Sequence, residues 1–181
     1  MKRLFIAIDL PDETKRQLVS LLPRDVPGLR ATPVHQIHLT LHFLGEVEND
    51  RAIAIGDSLS NLSAPRLTIQ FVGVGTFRQP RGMVWWVGVA DNTALSALHQ
   101  TIAGLIQPHG CIPDHRPYKP HLTIARADQR VRRDLAKQWV EERLNFSLPP
   151  LEISSVVLFS SILDRTGATH HVERNVPLAL S

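Results

Sequence analysis

Two stretches of this chain set a histidine and a threonine on alternate positions: His38-Leu39-Thr40-Leu41 and His121-Leu122-Thr123-Ile124. An unperturbed imidazole titrates near pH 6.5, so one copy can take up a proton while the other gives one away. In-line displacement at phosphorus needs a base on the side of the nucleophile and an acid on the side of the leaving group. The hydroxyls of Thr40 and Thr123 can donate to the non-bridging phosphate oxygens. The chemistry expected of this pattern is acid–base catalysis at a phosphate ester, with no metal and no other cofactor.

Chance sets how much the pattern is worth. The 9 histidines and 10 threonines of the 181 residues give about 0.5 His-x-Thr triplets at random, so one copy is uninformative. A third triplet, His99-Gln100-Thr101, lies within the helical spacing of Leu95, Leu98 and Ile102 and lacks the apolar alternation. The other two share an inner leucine, a following aliphatic residue and similar surroundings. Duplication carries the signal.

Position within a strand decides what each residue can do. Ile37, Leu39 and Leu41 alternate with His38, Thr40 and His42, a period of two that means strand. His38 and Thr40 then leave one face about 6.6 Å apart, at roughly 3.3 Å per residue. By the same alternation His42 shares their face, where it would perturb the titration of His38 and, with Tyr118, is a candidate substrate contact. In the second copy Leu122 and Ile124 are buried and His121 and Thr123 presented. Arg126 lies five residues after His121, on the opposite face by strict alternation. It reaches the phosphate only if the strand ends or bulges there. Tyr118 either stacks on a nucleobase, as in single-strand RNA recognition, or packs the strand.

The flanking elements repeat. Leu4 to Ile8 reads as a buried strand, and Pro11-Asp12-Glu13 starts a helix with Leu18, Leu21 and Leu22 inward. After the first motif come a helix on positions 52, 55, 59 and 62 and a strand through Leu67, Ile69 and Phe71. Gln79-Pro80-Arg81-Gly82 is a turn. The order then recurs: a strand at Met83–Val89, a helix on Leu95, Leu98, Ile102 and Leu105 ended by Gly110, and a proline-rich approach from Pro113 to Pro120. The second motif, a basic helix over Val131–Leu144 and strands at Leu151–Phe159 and His171–Pro177 complete the chain, with a turn around Asp164–Gly167. The spacings match: Phe5 to His38 and His38 to Phe71 are each 33 residues, Trp86 to His121 and His121 to Val156 each 35. The expected fold is α+β and bilobal. Two pseudo-symmetric lobes of mainly antiparallel sheet, from repeat halves of about 1–80 and 81–181, carry helices on their outer faces and flank a central cleft. The whole of 1–181 forms one bilobal domain.

Together, His38-Leu39-Thr40-Leu41, the following Phe43-Leu44-Gly45-Glu46-Val47 and the run from Arg116 to Arg126 resemble the 2H phosphoesterase superfamily. Within it the chain is similar to the bacterial RNA 2′,3′-cyclic phosphodiesterases, also called 2′-5′ RNA ligases. The likeness covers nearly the whole chain, from Arg3-Leu4-Phe5-Ile6-Ala7-Ile8-Asp9 onward. It implies a bilobal fold, no metal, and hydrolysis of a terminal 2′,3′-cyclic phosphate to a 2′-phosphate. It implies that His38 protonates the leaving 3′ oxygen, that His121 activates water, and that Arg126 is the arginine following the second motif. Run in reverse, the reaction would join RNA ends through a 2′-5′ linkage.

Composition bounds the rest. With 43% hydrophobic and 20% charged residues, a net charge of +3 and one cysteine, Cys111, a globular, cytoplasmic, disulfide-free protein is expected. The apolar run Leu4–Ile8 is too short for a membrane span. Of 20 basic residues 16 are arginines, which suit phosphate forks or a solvated surface equally. Expected partners are RNA with a 2′,3′-cyclic phosphate end or a cyclic nucleotide, with no membrane and no obligate protein partner, the chain acting as a monomer. Two other readings stay open: a non-catalytic RNA-end-binding module, and a metal-dependent phosphoesterase using His35, His38 and His42. Strand alternation speaks against that metal set. Trp85 and Trp86 are expected in the core, at most one of His170 and His171 can face a site, and Arg130, Arg132 and Arg133 form a solvated helix start or an anion contact.

Overall fold

The run Leu4 to Ile8 has no polar residue and forms the middle of β1 (Lys2–Asp9), buried at all five positions in a computed structural model that describes residues 1–112, 117–164 and 167–180. Leu4, Ile6 and Ile8 join the main core, whereas Phe5 and Ala7 form a second, smaller cluster with Val157 and Phe159 on the opposite face. A strand apolar on both faces belongs in the middle of a sheet, and β1 has a neighbour on each side. It pairs with β3 (His38–Val47) and with β9 (Ser155–Asp164). With β10 (Gly167–Pro177) the first sheet has the order β10-β9-β1-β3.

The second sheet has the order β2-β7-β6-β5, from β2 (Leu29–Ala31), β7 (His121–Ala127), β6 (Gly82–Val89) and β5 (Phe71–Gln79). Every pairing in both sheets is antiparallel. A short ribbon joins β4 (Leu67–Ile69) to β8 (Leu151–Ile153). The repeat is visible in the orders: β9-β1-β3 corresponds to β5-β6-β7. The sheets do not divide at the chain midpoint. Each takes two strands from residues 1–80 and two from 81–181, because β5 turns directly into β6 through the 79–82 turn and β9 returns to β1.

Four helices press apolar faces into one shared core: α1 (Asp12–Val19), α2 (Asn49–Ser60), α3 (Thr93–Ile106) and α4 (Arg133–Glu141). Ile55 and Leu59 of α2 and Leu98 and Ile102 of α3 are buried at the predicted three-and-four spacing. Asn92 caps α3, its side chain accepting from the Leu95 N–H, and Gly110, in the left-handed conformation, closes the 3₁₀ turn that follows. Trp139 of α4 packs on Trp85 at 4.5 Å and donates to the Leu21 carbonyl. Leu39 and Leu122, the inner residues of the two motifs, are fully buried, each worth about 1.5–3 kcal/mol. They hold the motif strands to the core by one face and leave the other for chemistry.

Several boundaries differ from expectation. Helix α1 stops at Val19, so Leu21 and Leu22 pack from the turn beyond it. The 67–71 strand breaks into β4 and β5, the 151–159 strand into β8 and β9, and the basic helix is shorter than predicted. Strand β2 went unforeseen because three residues between prolines carry no periodic signal. Residues 113–116 of the proline-rich approach and 165–166 of the last turn lie outside the described residues.

Candidate active site

The two motifs converge on one cleft of about 680 Å³, lined by His38 and Thr40 from the first sheet and His121, Thr123 and Arg126 from the second. Equivalent β-bulges shape both motif strands. Along β1–β3 the partners step from Ile6↔His42 to Ala7↔Thr40, leaving Leu41 over. Along β6–β7 they step from Trp85↔Ala125 to Trp86↔Thr123, leaving Ile124 over. An extra residue shifts the facing of everything after it by one. Arg126 thereby turns onto the face of His121 and Thr123, meeting the condition that the sequence set for it.

The same shift corrects the placing of His42. It turns inward, is 6% exposed, stacks on His99 at 4.1 Å and hydrogen-bonds the His99 carbonyl. It does not line the cleft. Phe43 takes the cleft position instead, in the place that Arg126 holds in the second copy. Tyr118 is also removed from the cleft. It stacks on His99 at 4.0 Å and its hydroxyl donates to the Thr40 carbonyl, and burial pushes its own titration upward. Packing, the second reading of Tyr118, is the one realised. His99, set aside as a decoy, is in α3, as its neighbours foretold.

Each catalytic candidate has its ring anchored in the same way. Nδ1 of His121 lies 2.8 Å from the Lys119 carbonyl, two residues back. A carbonyl only accepts, so Nδ1 carries the hydrogen and Nε2 is left to exchange a proton. His38 is likewise held by the Gln36 carbonyl, two residues back. Phe5 stacks on the His38 ring at 4.6 Å and 28°, and Phe77 meets the His121 ring edge-on at 5.0 Å. Trp86 stacks on Phe77 at 5.1 Å and is half-buried, so only Trp85 of that pair is fully in the core. Gly75, facing Trp86 across the strand pair, leaves the room that the indole occupies.

Burial lowers the pKa of His38 to about 4, helped by the neighbouring His170 and opposed by the Gln36 carbonyl and Asp9. At that value His38 is neutral at pH 7. Asp9 pairs with His38 in register and is held by Lys15 at 2.7 Å.

Arginines from three strands line the cleft: Arg3, Arg30 and Arg126. Arg30 and Arg126 stand directly opposite each other across β2–β7, an arrangement of like charges that destabilises a sheet unless an anion intervenes. No carboxylate lines the cleft among the described residues. Arg3 lies over the Phe43 ring at 4.9 Å. Arg3, Arg30 and Phe43 are cleft residues that the sequence reading did not single out. Their strands meet only through pairing, and the one available clue was Arg3 in the opening strand of the family pattern. His170 faces the cleft and His171 does not, as alternation required. Arg130 and Arg132 are paired with Asp128 and Asp134, so the helix start does not hold them ready for an external anion. Among the described residues no three His, Cys, Asp or Glu are grouped to hold a metal, and His35 and His42 do not converge with His38.

A doubled His-x-Thr strand pair facing a cationic cleft defines a phosphoesterase of the two-histidine kind. The chain belongs to the 2′-5′ RNA ligase superfamily, whose model matches residues 11–164. It is 29% identical to an RNA 2′,3′-cyclic phosphodiesterase of Archaeoglobus fulgidus over 91% of this chain and 94% of that one. Against the enzyme of the same name from Aeropyrum pernix it is 30% identical over 80% and 83%. Its structure resembles that of Escherichia coli LigT complexed with 3′-AMP, at a TM-score of 0.77 and 25% identity, with 98% of each chain covered. No helix among the described residues is long and apolar enough to cross a membrane.

Proposed function

We propose that this protein hydrolyses 2′,3′-cyclic phosphate at RNA ends to a 2′-phosphate, using His121 as base and His38 as acid. The observation that carries the reading is the convergence of both histidines, both threonines and Arg126 on one cleft without a lining carboxylate. Its relatives act on this substrate by name. The Nε2 atom of His121 takes a proton from water as its oxygen bonds to phosphorus. The bond from phosphorus to the 3′ oxygen breaks, and His38 protonates that oxygen. Thr40, Thr123 and Arg126 stabilise the charge gathering on the non-bridging oxygens. Exchange with solvent then returns the proton from His121 and resupplies His38. A 5′ hydroxyl in place of water would leave a 2′-5′ linkage, the joining reaction of the same site.

His38 must be protonated to act as the acid, and the arriving phosphate is the group able to charge it. The assignment rests on family likeness for which histidine does which task.

The test is turnover of a 2′,3′-cyclic nucleotide by the wild type and by His38→Ala and His121→Ala. Each substitution should cost about 10²–10⁴ in kcat, and chelator should leave the wild type unaffected. Wild-type rates in both variants would refute the two-histidine mechanism, and binding of RNA ends with no turnover by the wild type would leave an RNA-end-binding module as the surviving reading. Loss with chelator and recovery with zinc would select the metal-dependent one.

A further inference from the structure

The cleft holds a third imidazole for which the two-histidine scheme has no task. His170 of β10 meets the His38 ring edge-on at 5.4 Å and 82°, and meets Phe5 edge-on at 4.9 Å and 74°. With the Phe5 stack on His38, three rings enclose one another. Gln36 ties the group together: its carbonyl anchors His38, while its side chain donates to the Ala168 carbonyl two residues before His170. The turn that positions His38 and the strand that carries His170 are thus fastened by one residue. Among the described residues Nδ1 of His170 is buried without a hydrogen-bond partner. A buried, unpartnered ring nitrogen makes a second proton on that ring costly, and burial lowers the pKa of this imidazole.

We propose that His170 is a positioning residue for His38, fixing the plane of that imidazole and making its protonation depend on an anion in the cleft. This rests on the reading that His38 is the proton donor. Two imidazoles this close cannot both charge cheaply. The groups facing the pair are mostly cationic. His38 meets Asp9 on β1 and Lys15 on α1, with Arg3, Arg30, Arg126 and His121 around the cleft. His170 meets His35, from the turn before β3, and His171 on its own strand. Asp9 is the one anion in this set, and it is held by Lys15. A phosphate supplies the missing negative charge where His38 needs it and leaves His170 as the neutral edge that sets the ring plane.

The experiment follows the His38 ring resonance by NMR in ligand-free protein as pH is lowered, alongside kcat and KM on a 2′,3′-cyclic nucleotide. His170→Gln removes the titrating ring and keeps polarity. It should raise the His38 midpoint by about 0.5–1 unit and lower kcat about tenfold with KM little changed. His170→Phe restores the edge-on ring and should recover most of the lost kcat. If His170→Gln fails to fold, His170→Asn replaces it. A wild-type midpoint and kcat in the folded Gln or Asn variant would reduce His170 to packing and overturn the proposal. Failure of the parent reading would look different: the wild type would turn over no cyclic phosphate, while the His38 midpoint would still respond to the substitution.

Discussion

Binding of inorganic phosphate should switch the charge state of His38. Burial and His170 bring its pKa from 6.5 to about 4. At about 1.36 kcal/mol per unit this is roughly 3 kcal/mol against the charged form. One negative charge about 4 Å from the ring is worth about 4 kcal/mol at an effective dielectric near 20. The two nearly cancel, so a bound phosphate should restore His38 to titration near neutrality. Two measurements check this. NMR titration of the ring, assigned with His38→Asn, should give a midpoint near 4 without phosphate and between about 6 and 7 with it. Calorimetry of phosphate binding in buffers of different ionisation heat should show net proton uptake at pH 6. A free-protein midpoint near 6.5 would refute the reasoning, and a phosphate-bound midpoint still below 5 would refute His38 as the acid.

Four further outcomes can be checked directly. Because His38 and His99 both have lowered folded-state pKa values of about 4, the unfolded chain binds more protons below pH 6.5. Stability should therefore hold above that pH and fall on acidification from 6.5 towards 4, read by urea melts at fixed pH; a flat profile would contradict both values. Arg126→Ala should cost about 1.5–3 kcal/mol in kcat/KM, with Arg126→Lys recovering only part, since a point charge replaces a fork. Leu122→Ala empties a fully buried site and should lower unfolding free energy by about 2–5 kcal/mol in denaturant titration. Tyr118→Phe removes the hydroxyl that holds the Thr40 carbonyl. It should cost about 1 kcal/mol of stability and leave discrimination among nucleobases unchanged; altered base preference would return Tyr118 to the cleft.

Much of the site is legible because it is written locally and twice. Strand alternation is a property of neighbouring residues, so Leu39 and Leu122 could be sent inward and His38, Thr40, His121 and Thr123 outward without any knowledge of the fold. Equal spacing of the flanking elements exposed the repeat. Alternation fails wherever a strand takes an extra residue, and the bulges at Leu41 and Ile124 decided His42, Phe43 and Arg126. The second bulge left a trace in the adjacent apolar pair Ile124-Ala125, whereas in the first copy the polar His42 concealed it.

The remainder comes from pairing between distant segments. Arg3, Arg30 and His170 lie at opposite ends of the chain, and strands that pair antiparallel bring them to one cleft. The exchange of strands between the sheets is equally nonlocal, since it depends on which edge each strand finds after the turn at 79–82. The lowered pKa of His38 belongs to the same class. An imidazole carries its ordinary value in any sequence, and only the surrounding rings and excluded water of the folded chain take it to about 4. Residue order therefore established which groups could do the chemistry, and tertiary structure decided which face they share, what surrounds them and in which charge state they wait.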